Sequence, residues 1–225
     1  MKIDFDFRLL DVSSELFTLE DFLEIIEKQI DHVNNSEKLI RDDLIKKQNL
    51  SPNDPEWHEI QQIYDYRIDV LIPRLFRSPF LVSLYAVYES AVIEMSRLIQ
   101  KKQGQHISLN DIKGDFLDQA KKYYKHILRF ELCKDNTSWQ YITMLSELRH
   151  AIAHTNGRLD MLKEKSRKSI RKWEKEGIGI EINSGYIIVD SDFLKRIFGI
   201  VHSSLEELIQ RYKQWDSAEV SDSTP

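Results

Sequence analysis

Arg149 and His154 stand in the run Glu147-Leu148-Arg149-His150-Ala151-Ile152-Ala153-His154-Thr155-Asn156-Gly157. These residue types suit the cleavage of RNA without a metal. The 2′-OH of RNA already lies beside its phosphate, so the substrate brings its own nucleophile. A histidine titrates near neutral pH and can take or give the proton. An arginine can fork onto the phosphate oxygens and stabilise the charge of the transition state. The products would be a 2′,3′-cyclic phosphate and a 5′-hydroxyl. The same residues also fit an ordinary helix surface, with Arg149 paired to Glu147 or Asp160. Glu147, His150 and His154 share a metal-compatible spacing as well, though not the His-Glu-x-x-His order of metalloproteases. The expectation is no metal and no cofactor.

The elements around the run must present it. On a helix from Ser138 to His154, at about 100° per residue, Tyr141, Leu145, Leu148 and Ile152 form an apolar stripe with Met144 on its flank. Glu147, His150 and His154 fall on the opposite side, and Arg149 lies on a flank. His150 and His154 are neighbours, four residues apart. The polar group therefore faces solvent, a substrate or a second copy rather than its own core. Arg149 and His154 are five residues apart, about 140° around a helix. They converge only if the last turn loosens, or if Arg149 of one chain works with His154 of another across a symmetric interface. Gly157 is the expected C-terminal cap, which puts His154 in the last turn, where carbonyl groups favour the protonated ring.

Helical spacing recurs along the chain. Thr18 and Asp21 read as a capping box before Phe22, Ile25, Ile26, Ile30 and Val33, in a helix that runs to about Lys47 or breaks at Asn34-Asn35. Ser51-Pro52-Asn53-Asp54-Pro55 stops and restarts the chain, with Asp54 as N-cap, and Pro73 ends or kinks the helix that follows. More helices are expected from Pro79 through Ile99, with Gly104 just past the end, and from Phe116 to Phe130. Residues 158–176 read as a charged helix or a long loop. Ile178, Ile180 and Ile182 alternate before Asn183-Ser184-Gly185 and Tyr186-Ile187-Ile188-Val189, a hairpin signal. Ser191 or Asp192 caps a last helix through Tyr212. The fold class is all-α, a helical bundle of about five to six helices with a small β-hairpin before the last helix. Residues 1–50 are expected as a helical extension packed on the bundle, 51–215 as the helical domain, and 216–225 as a flexible tail.

The run Leu148-Arg149-His150-Ala151-Ile152-Ala153-His154 resembles the signature of the HEPN superfamily: an Arg, four to six residues, then a His, commonly with a polar residue after the Arg. His150 fills that polar position. The earlier Leu84-Tyr85-Ala86-Val87-Tyr88-Glu89 and the apolar final helix agree, and the resemblance covers about residues 55–212. It implies a metal-independent endoribonuclease, a homodimer whose two motifs meet in a composite active site, serving as a toxin or phage-defence effector. Its alternative is a non-catalytic HEPN-fold interaction or RNA-binding module in a defence or regulatory complex. The resemblance assigns Arg149 and His154 as the catalytic pair and His150 as the residue that orients them, with Glu89 holding Arg149 and Glu147 supporting. Asn156 stands where toxins of this group silenced by an antitoxin often carry Tyr. That departure argues against control by tyrosine AMPylation, and any antitoxin or defence-complex partner is expected to be encoded elsewhere.

Composition narrows the partners. Net charge is −5, so no global field draws the chain to nucleic acid. Residues 158–176 are locally basic, with eight Lys/Arg against four acids. An RNA substrate would be met there, by Arg158, Lys163, Lys165, Arg167, Lys168, Arg171 and Lys172, unless the segment is a solvated helix of mixed charge. Trp173 either stacks on a base or packs its own helix. Cys133 is the only cysteine, which leaves no internal disulfide. Ser90, Ser96 and Cys133 lack a paired base, so nucleophilic hydrolase chemistry has no support. His32, His58, His106, His126 and His202 are scattered, and a structural or solvated role fits each. The charged N-terminus has no signal core and no run reaches ~18 consecutive apolar residues. The expectation is a cytoplasmic protein without a membrane partner.

Overall fold

Val12, Leu16, Leu19, Leu23, Ile26 and Ile30 recur at steps of three and four, and all are buried. One continuous stripe of this kind favours one continuous helix. In the computed structural model, which describes residues 7–222 and their side chains from 11 to 217, α1 spans Phe7–Lys47. It starts well before the expected cap. Thr18 lies inside it, its Oγ1 donating to the Ser14 carbonyl at 2.8 Å, and no break occurs at Asn34-Asn35. The first six residues and 223–225, with the charged start of the chain and the last of the polar tail, lie outside the described residues.

Proline does not end the next helix. α2 (Pro55–Tyr66) passes through a π-turn (Arg67–Leu71) into α3 (Ile72–Gln103). The Ile72 amide donates to the Arg67 carbonyl, five residues back. A widened turn of this kind absorbs the missing donor and the ring clash of Pro73 that would break a regular helix. Pro79 also lies within α3. Asp54 has no side-chain bond to the helix start. It accepts instead from the Ser51 amide at 2.6 Å and closes the preceding turn. The sequence has no unbroken apolar run of membrane length, yet the helix Pro55–Gln103 is long and apolar enough to cross one. Phe80, Leu81, Leu84, Tyr88, Val92, Met95 and Ile99 are buried, and that burial accounts for much of its composition.

The remaining elements are α4 (Phe116–Lys122), a π-turn (Tyr123–Leu128), α5 (Asn136–Thr155), α6 (Glu164–Lys175), β1 (Ile180–Asn183), β2 (Tyr186–Val189) and α7 (Ser191–Asp222). The chain is thus an all-α helical bundle with one antiparallel hairpin before its last helix. Residues 158–176 are mainly helix rather than long loop, and α7 carries helix into the segment expected as tail. In the hairpin Ile180 pairs with Val189 and Asn183 with Tyr186. Its two-residue turn has positive φ at both Ser184 (51°) and Gly185 (80°), the backbone that matches strand twist. Asp190 caps α7, its Oδ1 accepting from the Phe193 amide at 2.7 Å. The expected caps Ser191 and Asp192 are already helical.

Two compact units divide the residues, and α1, α3, α5 and α7 contribute to both. One unit takes the chain up to Leu19, Ser83–Ser146 and the part from Ile197. Its core includes Leu84, Tyr88, Val92, Tyr124, Leu145 and Leu205. The Tyr124 hydroxyl donates to the Val92 carbonyl at 2.7 Å, so a fully buried phenol is satisfied. The other unit takes Glu20–Val82 and Glu147–Arg196. There Arg77 forks onto Glu27 at 2.9 and 2.7 Å and reaches the Val189 carbonyl at 3.0 Å, joining α1, α3 and the hairpin.

Candidate functional site

The C-terminal half of α5 carries the Arg–His run. The buried residues of α5 are Ile142, Met144, Leu145, Leu148 and Ala151. Tyr141 and Ile152, expected in the stripe, are half-buried. Arg149 is half-buried, and His150 and His154 are exposed. Their rings lie 4.5 Å apart between centroids, tilted by 51°. The structure therefore brings together the two histidines, at i and i+4. Residues 149–154 are α-helical throughout, so the last turn does not loosen, and Arg149 stays about 140° around the helix from His154.

Burial, first, and then the charges of His154, Arg149 and Lys163 push the His150 pKa below the ordinary imidazole value. His150 is thus neutral at pH 7 and fit to accept a proton. Glu147 is not solvated as the helical wheel implied. Burial raises its pKa above the ordinary carboxylate value, opposed by the Ser169 hydroxyl and by Lys165. Ser169 and Lys165 belong to α6, so α6 covers part of the polar side of α5. Glu147 Oε2 is buried with no hydrogen-bond partner.

The end of α5 is fastened from three directions. Two successive residues after α5 have positive φ, Asn156 at 52° and the expected cap Gly157 at 74°. The Asn156 amide donates to the Ile152 carbonyl at 2.9 Å and the Gly157 amide to the Ala151 carbonyl at 3.2 Å, so two of the last carbonyls of the helix are satisfied. Glycine suits position 157 for its φ of +74°, which side chains rarely adopt; a Cβ there would make only ordinary contact with Ile187, at 3.7 Å. The Ile187 amide donates to the Gly157 carbonyl at 2.9 Å, and the Leu159 amide to the Gly185 carbonyl at 3.0 Å. The hairpin is the clamp on the chain that leaves the Arg–His helix.

The third fastening is Arg74, which sequence reasoning missed. It is 7% exposed. Its Nη1 donates to the Asn156 carbonyl at 3.2 Å, and its Cζ lies 4.0 Å from the centre of the Tyr186 ring. A cation at a helix C-terminus suits the carbonyl dipoles gathered there. The signal was available: Arg74 interrupts the run Val70-Leu71-Ile72-Pro73-Arg74-Leu75-Phe76, and a charge amid apolar residues needs a buried partner.

The basic segment divides into two kinds of residue. Ile170 is buried on α6, while Lys165, Lys168, Arg171, Lys172 and Lys175 are exposed with Glu164. At helical spacing these six fall on one face, which carries one acid. Arg158 pairs with Asp160 at 2.8 Å, so Asp160 has its own partner. Arg167 pairs with Glu164 at 2.9 Å and Lys172 with Glu176 at 3.6 Å. Lys163 is exposed just before α6, and Trp173 is half-buried. Glu89 is half-buried on α3. Among the described residues no group of three or more His, Cys, Asp or Glu is placed to hold a metal ion. The Cys133 thiol donates to the Asp135 carbonyl at 3.4 Å, and burial raises its pKa, which suits an unreactive thiol.

No protein-family model, curated protein or solved structure matches this chain.

Proposed function

We propose that this chain is a metal-independent endoribonuclease of HEPN type, a cytoplasmic toxin or phage-defence effector that uses the 2′-OH of RNA as nucleophile. The observation that carries the reading is the exposed His150–His154 pair, 4.5 Å between ring centres, beside Arg149 and followed by a helix with a basic exposed face. His154 acts as general acid or base. His150, neutral at pH 7, supports it by accepting a proton, and Arg149 stabilises the scissile phosphate. Lys165, Lys168, Arg171 and Lys172 hold the RNA backbone, the sequence-independent part of binding. The divergence of Arg149 and His154 around an unbroken helix supports a homodimer in which each motif completes the other.

His154→Ala should abolish cleavage of total RNA in EDTA, with wild-type products ending in 2′,3′-cyclic phosphate and 5′-hydroxyl. Undiminished cleavage by a folded His154→Ala protein refutes the reading. A second reading, a non-catalytic RNA-binding module, is favoured by one observation: the basic face of α6 does not depend on the histidines. It predicts salt-sensitive RNA binding that His154→Ala leaves intact, with no cleavage by the wild type.

A further inference from the structure

The unit that does not contain the His150–His154 pair holds a cleft of about 420 Å³, within the range of small-molecule sites. It is built where α4 gives out. The π-turn after α4 ends in Arg129, whose φ of 51° and ψ of 37° are left-handed for a residue with a side chain. The Phe130 amide then reaches back to the Tyr124 carbonyl at 2.9 Å. After this sharp turn Arg129 and Phe130 line the cleft, together with Lys134 just before α5 and Trp139 in its first turn. Backbone held in a sparsely populated region is retained where something requires it.

The lining joins two chemistries. Lys121, Lys125, Arg129 and Lys134 supply four positive charges, against the one carboxylate of Glu131. Among the described residues, Lys125, Arg129 and Lys134 have no ion-pair partner, whereas Arg167, Lys168 and Lys172 of α6 are paired to glutamates. Trp139 and Phe130 supply aromatic surface, and the Lys121 ammonium lies 4.8 Å from the centre of the Trp139 ring. Behind the wall, Arg211 donates from Nη2 to the Leu132 carbonyl at 3.1 Å while its Nε and Nη1 are buried without partners. At the N-terminus of α5 the Asp135 carboxylate already occupies the Ser138 amide, at 2.7 Å. The attraction comes from the side chains.

We propose that this cleft binds a nucleoside phosphate, with its phosphates on the four cations and its base against Trp139. An inorganic anion would use the cations and waste the rings, and an apolar ligand would leave the cations unpaired. A nucleotide uses both. The ligand is either a free nucleotide or one residue of a single-stranded RNA. The proposal does not rest on the ribonuclease reading, since none of its residues belongs to that site, and His154→Ala should bind the nucleotide as the wild type does.

Calorimetric titration of the whole chain at low salt with ATP, AMP, inorganic tripolyphosphate and a short oligouridylate tests it. Binding of ATP or AMP assigns a free nucleotide. Binding of the oligouridylate alone assigns a residue of RNA. In either case Trp139→Leu should weaken binding about tenfold, as loss of base stacking does. The exposed pair Lys125→Ala and Lys134→Ala, made together in a chain with unchanged circular dichroism, should weaken it by a similar factor and flatten its salt dependence. Absence of binding by all nucleotide probes overturns the proposal. So does tripolyphosphate binding as tightly as ATP, or an affinity that neither set of substitutions changes.

Discussion

Replacing Arg74 separates two effects that one buried guanidinium combines. The hydrogen bond to the Asn156 carbonyl, charged on the donor side, contributes on the order of 1.5–3 kcal/mol. The contact with the Tyr186 ring, largely out of water, contributes about 2 kcal/mol. Against both stands the cost of burying the charge, raised by the Arg74 Nε, which has no partner. An apolar chain of similar length loses the attractions and the penalty together. Arg74→Met should therefore shift the free energy of unfolding by only about 1 kcal/mol in either direction. Arg74→Ala also empties most of a side chain that is 7% exposed, and should cost about 3 kcal/mol. Urea unfolding measures both. Hydrogen exchange reads the local part, because either substitution releases the Asn156 carbonyl and lets the cap open. Exchange at the Asn156, Gly157 and Arg158 amides should rise about tenfold even in the Met variant, whose global stability barely changes. Equal destabilisation by Ala and Met, with exchange over these residues unaltered, would show that Arg74 fills space and does not hold the end of α5.

Glu147→Gln should stabilise the protein, and more so at higher pH. The folded-state pKa of Glu147 is raised, so its favourable contribution is present below the unfolded value and is lost as pH rises through the folded value. The variant should match the wild type in Tm near about pH 4 and exceed it at about pH 8; a lower Tm at the higher pH contradicts the assignment. Gly179→Ala should cost about 3 kcal/mol in urea unfolding, from positive φ and from loss of the α7 cap, since its Cβ would lie 2.4 Å from Asp190 Oδ1. In an Asp190→Ala background the same substitution should cost about 1 kcal/mol, and an undiminished cost there would remove the clash as the explanation.

How far the chain could be read from its sequence depended on whether a feature was periodic. Helical spacing placed α5 and α7, and the alternation Ile178-Gly179-Ile180-Glu181-Ile182 before a Ser-Gly turn placed the hairpin. Errors came where two local rules met and packing chose between them. Thr18 has the chemistry of a cap, yet the stripe from Val12 to Ile30 keeps it inside a helix. Pro73 has the chemistry of a stop, yet a π-turn lets the helix continue. At the candidate site the wheel put His150 and His154 together, because i and i+4 spacing is a property of one helix. It could not tell that α6 folds back over Glu147.

Local order alone therefore determined the helical class, the hairpin, the exposed histidine pair and the angular separation of Arg149 from His154. Each follows from dihedral angles that repeat from residue to residue. The tertiary structure decided what holds that pair in place: Arg74 against Asn156, the Gly157–Ile187 contact, and α6 over Glu147. It also decided the basic cleft around Trp139. The cleft folds one stretch, residues 121–139, upon itself, whereas the fastenings join residues far apart in sequence, their partners selected by burial and by the demand that buried polar groups be satisfied, which no single segment encodes.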